Sequence, residues 1–261
     1  MPPDVIQGEK FQTLANNETI YYCHTHDVNS FFDNLSFSHN FTLISHNSDG
    51  CVTYNPREHR RGSSRDADLS KIPPNLKMWF AQNVADQHPL LQSIPIGLEN
   101  SYNFPELRKI EKLFNIKNTR AQARNFIYLN LNIQNNPTAR QPIYDICEGK
   151  SYITIEHGRN GVNYENYLSN LHNHDFMICP EGNGIDVHQP WESLHIGTIP
   201  IQKNNNNNKF WRDLPICWLD DWSQLEDEHF LKTEHHRITN SPQDITKLDF
   251  NYWKERILSS I

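Results

Sequence analysis

Apolar and polar positions along this chain switch repeatedly between short β-rich runs and helical periods. From residue 125 onward the alternation is regular. FIYLNL (126–131), YITI (152–155), FMIC (176–179), TIPI (198–201) and PICWL (215–219) read as strands. Tyr164, Tyr167, Leu168 and Leu171 recur at i, i+3, i+4 and i+7, which is one face of a helix; Trp191, Leu194 and His195 mark another. A polar stretch with Pro137 and Pro142 leads into a short helix ending near Gly149, and 221–232 reads as a further helix. The tract KNNNNNK (203–209) has neither period nor apolar content and reads as a solvated loop.

The first half follows the same pattern less tidily. Residues 19–23, 41–46, 77–82 and 93–97 read as strands, with helices near 27–35, 56–69 and 104–115. At the chain's end, Ser241 and Pro242 form an N-cap and first-turn pair, and Ile245, Leu248, Tyr252, Trp253 and Ile257 give one apolar face. Strands alternating with helices imply βαβ units and parallel sheets covered on both faces. A polar junction near 115–124 divides the chain. The expectation is two α/β domains facing a cleft: 1–118, joined by a terminal helix in 241–261, and 119–240.

Composition narrows the function. With 261 residues, 36% hydrophobic and 11% aromatic, the chain can bury real cores. A net charge of −7 argues against nucleic-acid binding. No apolar run approaches the roughly 20 residues of a membrane span, and the first residues lack the features of a signal peptide. Five cysteines without a CxxC read as buried free thiols in a reducing compartment, so a cytoplasmic location is expected. Fourteen histidines are scattered without metal-ligand spacing, so no metal site is expected. The Asp66-Ala67-Asp68 triplet sits in a charged, Ser-rich segment and reads as solvated surface.

The segment FMICPEGNGIDVHQPWESLHIGTIPI (176–201) carries the chemistry: a strand, a glycine turn, then a helix. In an open parallel sheet this is where ligands sit, against helix N-terminal N–H groups. Gly182 and Gly184 permit a positive φ or a close backbone approach, and the N–H groups near 183–188 suit a phosphate. Glu192, in the following helix, suits a ribose diol.

This segment resembles the donor-binding signature of exostosin-like glycosyltransferases and related small GT-B enzymes, including viral and bacterial xylosyl- and fucosyltransferase-like members. NFIYLNLNIQNNPTAR, FTLISHNSDG and KMWFAQNVADQHPLLQSIPIG are similar to other segments of that group, so the resemblance covers about residues 41 to 201. It implies a GT-B-like fold of two Rossmann-like domains whose terminal helix crosses back to the first. It also implies metal-independent, inverting transfer of a sugar, such as xylose, from a nucleotide-diphosphate donor, UDP favoured, to a glycan or other hydroxyl. Gly182, Asn183, Gly184, Asp186, His188 and Glu192 would line the donor, and Arg140 would neutralise the leaving phosphate in place of a metal. Glu181 stands where relatives often carry arginine, and Val187-His188-Gln189 where they have Thr-His-Arg. Arg159 or Lys203 would then supply the charge.

An inverting transferase needs a base on the acceptor side. Asp49, in a strand-end loop, is the expected base, with His46 and Asp27 in reserve and His46 and Asn83 on the acceptor side of the cleft. Two other classes compete: a metal-dependent hydrolase or phosphoesterase built on the histidine pairs, and a non-catalytic nucleotide- or glycan-binding module.

Overall fold

The computed structural model describes residues 4–55, 58–59, 63–64, 66–103, 109–119, 124–157 and 163–260. The chain folds into mixed α/β structure around two parallel sheets. The first sheet holds β1 (Ile20–His24), β2 (Phe41–His46), β3 (Leu76–Ala81) and β4 (Leu91–Ser93), side by side in that order and all parallel. The second holds β5 (Asn125–Leu131), β6 (Ile153–His157), β7 (His174–Ile178), β8 (Ile199–Lys203) and β9 (Cys217–Leu219) in the order β6-β5-β7-β8-β9. In that order the chain reverses direction across the sheet between β5 and β7, which opens a crevice at their carboxyl ends.

Every residue of β2 is buried, as expected for a strand covered on both faces. Beside it, Trp79 Nε1 donates to Ser45 Oγ at 2.8 Å, so this buried indole is satisfied. Helices α1 (Gly8–Gln12), α2 (Val28–Asp33) and α3 (Lys109–Lys117) belong to the first half of the chain. The second half adds α4 (Pro137–Cys147), α5 (Tyr164–His172), α6 (His188–Ile196), α7 (Glu228–Thr239) and α8 (Phe250–Leu258). One apolar cluster runs across both sheets, joining Ile44 and Phe80 to Met177, Trp191, Trp211 and Trp253. The last helix packs back on the first sheet's elements. Phe250 N donates to Asp4 O at 2.7 Å, and Arg256 Nε donates to Gln92 Oε1 at 2.7 Å. No helix among the described residues is long and apolar enough to cross a membrane.

The structure corrects several sequence expectations. Helix α4 begins at Pro137 and contains Pro142, so the prolines do not precede it. Pro137 needs no N–H at the first helical position, and Asn136 caps the turn by accepting from Ala139 N at 3.1 Å. The asparagine tract is not a solvated loop: Asn207 and Asn208 are buried in a 3-10 turn. Asn207 Oδ1 accepts from Val84 N at 2.8 Å, tying this tract to the first half. Segment 221–232 breaks into a 3-10 turn and the start of α7. Ser241 and Pro242 start no helix; Asp249 caps α8 instead, and Ile245 is exposed. The described part of 56–69 forms two-residue strands rather than a helix, and 94–97 continues no strand.

Candidate functional site

The carboxyl ends of both sheets meet at the loop that follows β7. Gly182 N donates to Gly184 O at 3.0 Å, closing a tight turn. Neither glycine has positive φ; close approach is what requires them. A Cβ on Gly184 would stand 2.6 Å from Asn83 Nδ2, and one on Gly182 would stand 2.9 Å from Val187 Cγ1 and 3.1 Å from Arg140 Nη2.

A cavity of about 370 Å³ opens there, at the β5/β7 crevice, and Arg140, Gly182, Asn183, Gly184, Gln189 and Glu192 line it. Arg140 comes from the first turn of α4 and is only 6% exposed. Its Nε donates to Glu181 O at 2.8 Å and its Nη1 to Asn132 O at 2.9 Å. These bonds fix a guanidinium against the glycine turn. Asn136 Nδ2 holds the same turn by donating to Gly182 O at 2.9 Å. On the opposite wall, Glu192 accepts from Tyr164 OH at 2.9 Å and Tyr167 OH at 2.8 Å. Burial and then the Glu192 charge push both phenols well above their ordinary range, so both stay protonated donors. Gln189 Nε2 donates to Asn130 O at 2.9 Å, while its buried Oε1 has no hydrogen-bond partner among the described residues.

A second cavity, about 310 Å³, continues on the first-sheet side, among His24, His26, Glu99, Asn100 and Tyr102. Asp49, Ile96 and His188 line both cavities. His188 opens α6; its Nδ1 lies 2.8 Å from Gly97 O and its Nε2 3.8 Å from Glu99 Oε2. Burial opposes the Glu99 charge, but His188, Asn103 and Lys109 outweigh it and hold this carboxyl below its ordinary range. His24 and His26 stack with ring centroids 5.3 Å apart.

Asp49, Arg140, Gly182, Asn183, Gly184, Asp186, His188 and Glu192 therefore converge. Within this group Asp186 is buried and its carboxylate serves as a brace. Its Oδ2 accepts from Ile96 N at 2.8 Å, and both carboxylate oxygens accept from Trp191 Nε1. Burial raises its pKa to about 6. Asn83 is fully buried at the seam instead of facing the cleft, with φ of 60°. His46 is also fully buried, with Nε2 3.0 Å from Pro95 O, and burial lowers its pKa to about 4. Neither belongs on an acceptor surface. Lys203 faces a separate cavity of about 390 Å³ beyond Glu181 and lies 3.5 Å from Asp221. Arg159 lies outside the described residues. Asp66 is buried and accepts from Cys51 N at 2.9 Å, and Asp68 caps a 3-10 turn, so this triplet is structural, not solvated surface.

Sequence reasoning missed the two tyrosines on Glu192, and Glu99 behind His188. The tyrosines were absorbed into an apolar helix face, although a buried phenol needs a polar partner. Nothing local marks Glu99, since its role arises from contact across 89 residues of chain. Among the described residues, no group of three or more His, Cys, Asp or Glu side chains could hold a metal ion. No protein-family model matches the chain, and no curated protein matches it.

Proposed function

We propose that the chain is a glycosyltransferase moving a sugar from a nucleotide-diphosphate sugar, UDP-linked by its resemblance, to a hydroxyl acceptor. On this reading the two sheets form GT-B-like lobes. The observation that carries it is the pair of confluent cavities sharing Asp49 and His188. One cavity suits the donor, the other an acceptor, and proton-accepting side chains stand between them.

The donor's diphosphate lies against Gly182, Asn183 and Gly184, beside the Arg140 guanidinium. That charge is already oriented by two carbonyls, so it stabilises the departing diphosphate without reorganising. A carboxylate offers about four acceptor positions; two on Glu192 take phenols, which leaves two for a ribose diol. The acceptor hydroxyl loses its proton, its oxygen bonds the anomeric carbon, and the anomeric C–O bond breaks with its electron pair leaving on the nucleotide diphosphate. Asp49 is the proton acceptor that the sequence suggests.

The test is release of nucleoside diphosphate from a panel of UDP-, GDP- and CMP-sugars, in EDTA and in manganese. Consumption of one UDP-sugar that is indifferent to EDTA supports the reading. No consumption of any donor, with or without acceptor sugars, overturns it.

A further inference from the structure

We infer that His188, backed by Glu99, is the group that takes the acceptor's proton, with Asp49 orienting the hydroxyl beside it. This rests on the transferase reading above.

The first ground is tautomer. Gly97 O, 2.8 Å from His188 Nδ1, can only accept, so Nδ1 carries the hydrogen. In the neutral ring that leaves Nε2 with its lone pair. The second ground is stabilisation of the charged product. Nε2 stands 3.8 Å from Glu99 Oε2; burial opposes the Glu99 charge, but His188 itself and then Asn103 and Lys109, both bonded to the carboxylate, hold it below its ordinary range. An imidazolium formed at His188 would therefore carry its new Nε2–H towards a carboxylate 3.8 Å away, which lowers the cost of forming it, while the Gly97 carbonyl orients the ring through Nδ1. The third ground is place. His188 lines both cavities, with its ring about one third exposed.

The acceptor O–H bond breaks and its proton goes to His188 Nε2. The oxygen's electron pair forms the bond to the anomeric carbon, and the nucleotide diphosphate leaves with the electron pair of the broken C–O bond. The titratable groups facing His188 come from several elements. Glu99 follows β4, Asp49 follows β2, His46 ends β2, and Asp186 precedes α6. Lys109 of α3 pairs with Glu99 at 3.3 Å.

The experiment uses UDP-xylose and UDP-glucose as donors with water as acceptor, and measures UDP release across pH beside UDP binding. In His188→Gln, turnover falls about 100-fold or more, the typical weight of a general base. The acid limb of its rate–pH profile disappears, and UDP affinity stays within about threefold, which shows an intact fold. Added imidazole restores part of the turnover in His188→Ala. Glu99→Gln lowers turnover while UDP affinity stays within about threefold, because no carboxylate then stabilises the charged ring. Wild-type turnover and acid limb in His188→Gln, with turnover lost in Asp49→Asn, would return the base to Asp49 and leave the transferase reading standing. Failure of the wild-type protein to bind UDP or consume either donor would overturn both.

Discussion

Asn83 Oδ1 accepts the backbone N–H of Asp186 at 2.8 Å, and this bond joins the loop after β3 to the glycine turn after β7. Asn83 Nδ2 donates in turn to Ser48 O at 3.0 Å, in the loop that carries Asp49. One buried side chain thus sets the spacing between the glycine turn and the loop that carries Asp49.

Asn83→Ala should be strongly destabilising. It leaves Asp186 N–H and Ser48 O without these partners, and a Cβ-bearing apolar residue at a φ of 60° is strained. The expected loss is about 2–4 kcal/mol in denaturant unfolding. Asn83→Gly removes the strain but not the lost bonds, and should cost about 1 kcal/mol less than alanine. Equal stability of wild type and Asn83→Ala would mean that this joint does not hold the cleft together.

Arg140→Lys keeps the charge but not the two carbonyl bonds that aim it. UDP affinity should fall about 10-fold, or about 1.4 kcal/mol, with stability less affected. Gly184→Ala should fail differently, because its Cβ would meet the Asn83 amide at 2.6 Å. Both stability and UDP binding should drop, as measured by thermal unfolding with and without UDP.

Acid should destabilise the fold before any acid-labile surface pair matters. Burial, with a smaller contribution from Lys117, lowers His195 to about 4, and burial does the same for His46. The unfolded chain protonates these rings near 6.5, so their contribution is complete above about pH 6.5 and is lost as pH falls towards 4. Asp186 works in the opposite sense. Its folded pKa is raised to about 6 from 3.8, so its buried charge costs stability above pH 6, and protonation relieves that cost between 6 and 4. Two histidines outweigh one aspartate. Unfolding free energy should fall by about 2 kcal/mol from pH 7 to pH 5. A flat or rising profile would show that these rings are not buried neutral.

Much of the fold is legible in the sequence because strands in covered parallel sheets are continuous apolar runs, and β2, β5, β7 and β8 fall within a residue or two of their sequence positions. Where the reading failed, tertiary context decided. Proline at the first turn of α4 favours a helix that proline elsewhere would break. The asparagines at 207 and 208 look like solvated chain but act as buried hydrogen-bonding groups between halves, a role no local pattern encodes. The candidate site divides along the same line. Its glycine turn and Glu192 lie in one contiguous segment and could be read there. Which polar residues face a cavity and which are consumed as braces, as Asp186, His46 and Asn83 are, depends on partners 35 to 103 residues away.

On the transferase reading, the crevice between β5 and β7 binds a nucleotide diphosphate through Arg140 and Glu192. Calorimetric titration of UDP, in EDTA, into wild-type protein and into Glu192→Gln tests it most directly. Saturable binding to the wild type is expected, with about 10-fold weaker binding to the variant, since the amide presents one acceptor oxygen where the carboxylate presents two. Heat of dilution alone from the wild type, or equal affinity in both proteins, would contradict it.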